Sequence, residues 1–83
     1  MNPIERKRIG NLLVEFYGLG DYISHLNLYG SYKVSVWRCG KDGIFRMVKK
    51  YTREFHAGES LADRRDRAAE YYGALINQFS RRV

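Results

Sequence analysis

The sequence predicts an α+β fold, a two-layer sandwich with two helices on one face of a two- or three-stranded antiparallel sheet, in the order α-β-β-β-α. Three observations predict it. Apolar residues recur at helical spacing near both ends, residues alternate with period two in the middle, and the turn Gly40-Lys41-Asp42-Gly43 divides the alternating region. At 83 residues the chain has room for one domain, residues 1–83, and one core.

Asn2-Pro3-Ile4-Glu5 reads as a helix start: Asn2 caps, Pro3 suits the first helical position, and Glu5 lies three residues after the cap. Ile9, Leu12, Leu13 and Phe16 repeat at i, i+3, i+4, i+7, and Gly18 and Gly20 end the pattern, giving a first helix over residues 3–17. Asp21 to Tyr29 fits either a first strand or a short helix capped by Asp21, and the strand is favoured. Tyr32, Val34 and Val36 alternate with Lys33, Ser35 and Trp37, and the chain continues extended from Ile44 to Phe55. Pairing about the 40–43 turn sets Cys39 opposite Ile44, Trp37 opposite Arg46, Ser35 opposite Val48 and Lys33 opposite Lys50. Tyr32, Val34, Val36, Phe45, Met47 and Tyr51 then share the core face, with Lys49 among them. Ser60 caps the last helix, and Leu61, Ala68, Tyr72, Leu75, Ile76 and Phe79 form its packing stripe.

Composition narrows the function classes. A chain that is 45% hydrophobic and 14% aromatic is too apolar for a disordered tail. Its longest apolar runs, such as Leu12 to Val14, fall far short of the roughly 20 residues that span a bilayer. Met1 to Lys7 carries charge with no apolar run behind it, so no signal peptide is expected. A single cysteine, Cys39, excludes an internal disulfide and fits a reducing, cytoplasmic setting. Cys39, His25 and His56 lack metal-ligand spacing, and Gly18-Leu19-Gly20 lacks the third glycine of a dinucleotide loop, so no metal or cofactor is expected. Ser24 and His25, adjacent in an extended chain, point to opposite sides. His56 and Glu59 sit beside a helix cap, and a two-layer domain this small rarely encloses a pocket for paired carboxylates. The expectation is a non-catalytic binding module.

Charge indicates the partner. Fifteen Lys and Arg against nine Asp and Glu give +6, and ten of the fifteen are Arg, which pairs bidentately with phosphate and carboxylate. On the last helix Arg64, Arg67, Tyr71, Gln78 and Arg82 fall on one strip, with Asp63, Asp66 and Glu70 further round. On the sheet, Lys33, Trp37, Arg46 and Lys50 share the face away from the core, where a Trp among cations can stack a base or anchor a protein. The bland counterparts are a solvated helix with an Asp63–Arg67 pair and a Trp37 ring covered by Arg46. A register slip of one residue would turn Trp37 to the other face.

Three stretches resemble the double-stranded-RNA-binding domain: Asn2-Pro3-Ile4 as an opening, Tyr32-Lys33-Val34-Ser35-Val36 as an aromatic-x-Val-x-Val strand, and Gly58-Glu59-Ser60 followed by Arg65, Ala68 and Ala69. The resemblance implies a last helix laid on RNA phosphates, with Arg65 and Arg64 as contacts. Leu61 and Ala62 stand where that family carries two lysines. The chain also resembles, in size and surface style, the small protein-binding inhibitors that phages make, which implies Trp37, Tyr71 and the arginines as anchors on an acidic protein surface. The leading expectation is a binder of nucleic-acid backbone, RNA or DNA, for which changing Arg64 and Arg67 to Glu abolishes binding. Monomer and dimer are both compatible with the sequence.

Overall fold

Gly10 and Asn11 interrupt the apolar spacing at the amino-terminal end, and the chain turns back there instead of coiling. In the structure, a computed structural model describing residues 3–81, strand β1, Glu5–Ile9, pairs antiparallel with strand β2, Leu12–Ile23. Gly10 adopts φ 58°, a conformation that glycine reaches without steric cost. The spacing of Ile9, Leu12, Leu13 and Phe16 fits a helix stripe, but Leu12, Val14 and Phe16 equally alternate along one face of a strand. Valine and the aromatics there favour the extended form, so the predicted first helix is a hairpin.

Strand β3, Leu28–Cys39, pairs with β2 on both sides of a bulge between Leu19 and Tyr22, with Val14 opposite Val36, Phe16 opposite Val34 and Gly18 opposite Tyr32. The ambiguous 21–29 segment divides between the end of β2, a turn over 24–27 and the start of β3. Gly18 is required by close packing: a Cβ there would lie 2.2 Å from the Tyr29 ring. Two short strands, β4 (Phe45–Met47) and β5 (Arg53–Phe55), pair in tandem along the other edge of β3. Helix α1, Leu61–Ser80, completes the chain. The architecture is therefore one helix on a five-stranded antiparallel sheet, which corrects the two-helix α-β-β-β-α expectation.

The β3–β4 register differs by one residue from the predicted pairing. Cys39 faces Phe45, Arg38 faces Arg46 and Trp37 faces Met47. The connection holds five residues, because Gly43 N–H donates to Gly40 O at 3.0 Å and the Asp42 carboxylate accepts from Ile44 N–H at 3.1 Å. With side chains alternating faces, that shift moves Phe45 and Met47 from the core to the face they share with Trp37. Beyond Met47 the chain leaves the sheet through two successive turns, Tyr51 N–H to Val48 O and Thr52 N–H to Lys49 O. Thr52 fills the gap in the ladder, its hydroxyl donating to Val48 O and accepting from Val36 N–H.

The core lies between the sheet and α1. Val14, Phe16, Tyr32, Val34 and Val36 meet Ala68, Tyr72, Leu75 and Phe79, all buried. The helix stripe thus follows its predicted spacing, with Leu61 and Ile76 half-buried at its margins. Ser60 caps α1, its hydroxyl accepting from Asp63 N–H at 3.0 Å. Ser60→Ala is expected to cost about 1 kcal/mol, read as a lower denaturant midpoint at unchanged slope. Gly73 sits mid-helix at a cost of about 0.5–1 kcal/mol relative to alanine. An added Cβ there would meet nothing within 4 Å.

Candidate nucleic-acid interface

The described arginines of the helix strip each have a partner within the protein. The Arg64 guanidinium donates to Gly30 O at 2.8 Å, tying α1 to β3, and its Nε is buried without a partner. Arg65 reaches Asp66 at 3.1 Å, and Arg67 lies 3.8 Å from Asp63 and over the Phe55 ring. Tyr71 is a packing residue: its hydroxyl donates to Tyr51 O, and Arg53 stacks on its ring at 4.9 Å. Arg82 lies outside the described residues. Arg65 and Arg67 nonetheless keep nearly half of their side-chain surface exposed.

On the sheet face away from α1, register sets two cations against carboxylates, Arg6 facing Glu15 and Lys33 facing Glu54, while Arg8 faces Leu13. Glu15 and Ser35, which face each other across β2 and β3, are buried there although no helix covers them. Trp37 is half-buried beside Met47, with its indole N–H unpartnered. Tyr17 lies on this face too. Burial, and next a hydrogen bond to Glu15, push its phenol up to about 12. Burial likewise raises Tyr71 and Tyr72. Because the fold holds the Tyr17 phenol neutral, its contribution is complete below pH 10 and is lost as pH rises through about 12. An alkaline melt followed by circular dichroism is expected to show falling stability across that window, with Tyr17→Phe shallower than wild type.

A second group of cations lies at the end of the β2–β3 pair away from the 24–27 turn. There the β1–β2 turn meets the end of β3, joined by Cys39 N–H to Asn11 O at 2.7 Å. Arg38 and Lys50 line one depression of about 260 Å³ with Gly10, Asn11, Tyr51 and Phe79, and no carboxylate side chain is among the described residues that line it. Neither forms an ion pair with any described residue. Arg38 also lines a second depression with Gly40, Arg46, Met47 and Val48. Arg38 stands directly opposite Arg46, a pairing that is destabilising between like charges. Asp42, 3.0 Å from Arg46, is the one acid paired there among the described residues, and Arg46 holds its carboxyl below its usual range. Lys50 rests 4.9 Å above the Tyr51 ring, and Arg8 stacks over Phe45 at 5.2 Å while donating to Gly10 O. Lys49, exposed, lies in the adjoining turn.

Of the predicted sheet residues, Arg46 and Lys50 thus belong to this end, and Lys33 and Trp37 to the open face. Arg38 was missed by sequence reasoning. Its signal was its place one residue from Trp37, but a register slipped by one hid that it opposes Arg46. Among the described residues no three His, Cys, Asp or Glu side chains gather as metal ligands would, and no helix is long and apolar enough to cross a membrane. Comparison with protein-family models, curated proteins and solved structures found no match.

Proposed function

We propose that the protein binds nucleic-acid phosphate backbone through the end formed by the β1–β2 turn, the last residues of β3 and the 48–52 turns. The observation that carries this reading is the Arg38–Arg46 opposition beside Lys50, with no carboxylate side chain among the described residues that line the depression between Arg38 and Lys50. Like charges facing each other across a sheet cost stability, and a polyanion laid over them converts that cost into binding energy. The partial negative charge of the α1 carboxyl-terminal end, near Phe79, offsets part of the repulsion in the unbound protein. Tyr51 and Phe45 keep two of the long cationic stems ordered by stacking, which lowers the entropy lost on contact.

The test is a fluorescence titration of labelled 20-nucleotide single-stranded and duplex DNA and RNA across a salt series. Two to four phosphate contacts predict a log–log slope of about −2 to −4 on duplex DNA. A flat salt dependence, or no binding at low salt, contradicts the reading.

A further inference from the structure

We propose that the cleft between β1 and α1 is a second binding site, taking an extended peptide with alternating acidic and apolar residues as a further strand on the sheet. β1 is the outermost strand, paired with β2 on one side and with no described strand on the other. Beside its outer edge runs a cleft of about 420 Å³ whose apolar wall is Ile4, Phe16, Ala69, Tyr72, Gly73 and Ile76. Ile4 is 50% exposed at its mouth. Gly73 lines this wall with open space before its Cα, so the helix backbone is approachable there. A glycine that weakens its helix and packs against nothing leaves room for a side chain from outside.

Register defines the occupant. Glu5, Lys7 and Ile9 point to the helix side of β1, and Arg6 and Arg8 point to the other. A strand added at this edge therefore sets one set of alternate residues into the apolar cleft, flanked by Glu5 and Lys7, whose charges offset each other, and the other beside Arg6 and Arg8. The second set is matched by carboxylates, the first by aliphatic side chains. A second copy of the chain fits poorly. Any antiparallel pairing centred on Arg6, Lys7 or Arg8 places that cation against its own copy, a destabilising arrangement that protects the edge from self-association.

Selection of a displayed random heptapeptide library on the full chain tests this, with enriched peptides measured by fluorescence polarisation. Enriched sequences should alternate acidic and apolar residues. Their affinity should fall at least tenfold in Gly73→Leu, which fills the cleft, and in Arg6→Glu/Arg8→Glu, which reverses the charge. Both variants should keep the wild-type circular dichroism spectrum, and Gly73→Leu should melt at or above wild type because leucine is the better helix former. No enrichment, or enriched peptides that bind both variants as well as wild type, overturns the proposal. So does a dimer in sedimentation that Gly73→Leu dissociates, since a second copy would then be the occupant.

Discussion

Arg38→Glu combined with Lys50→Glu is expected to weaken binding of duplex DNA by roughly 60-fold at 0.1 M salt. That figure follows from two lost phosphate contacts, each releasing about 0.9 counterion and so contributing about eightfold at that concentration. The log–log salt slope should become shallower by about 2, and the loss should be similar across sequences, because backbone contacts carry no base information. The fold should be unaffected. Both side chains border a surface depression, neither is paired to a carboxylate among the described residues, and removing Arg38 relieves its repulsion with Arg46. Arg67→Glu is the matched control. It destroys a helix-face cation of equal charge that already lies beside Asp63, and it should change affinity by a few-fold at most.

Phe79→Ala is expected to cost about 3–5 kcal/mol, the range for emptying a buried aromatic site. Phe79 is 3% exposed and meets the Tyr51 ring edge-on at 5.1 Å, so its loss opens the core where the helix closes over the 48–52 turns. A domain of this length holds roughly 4–12 kcal/mol in total, so the variant should melt at least about 12 °C lower. Phe45→Ala provides the contrast. Phe45 is 36% exposed and stacks only on Arg8, and its truncation should cost about 1 kcal/mol or less. Were the one-residue-slipped register correct, Phe45 would line the core and the two variants would be comparably damaging.

The last helix was legible because two independent signals agree there, the Ser60 cap and an apolar stripe at helical spacing. The alternation of Tyr32, Val34 and Val36 was equally readable, since a strand buried on one face must show period two. The first helix failed because β2 carries apolar side chains on both faces. Leu13, Tyr17 and Leu19 face away from α1 while Leu12, Val14 and Phe16 face towards it, and the doubled pattern imitates a helix stripe. Gly10-Asn11 was the overlooked turn signal. The partners of the charge strip on α1 were hidden for a different reason. Helical geometry places Arg64, Arg65 and Arg67 on the surface, but spacing says nothing of Gly30 O, which lies 34 residues away in sequence from Arg64. Reading the basic end required the loop length after Cys39, which depends on how Asp42 and Gly43 close the turn.

The most direct measurement is a ¹⁵N–¹H correlation spectrum of the labelled protein titrated with a 20-nucleotide duplex at low salt. Perturbations are expected at Gly10, Asn11, Arg38 and Cys39 and across Lys49 to Tyr51, fading as salt is raised. Perturbations centred instead on Arg64 to Tyr71, with the 48–52 turns unmoved, would contradict the assignment of the basic end as the binding surface.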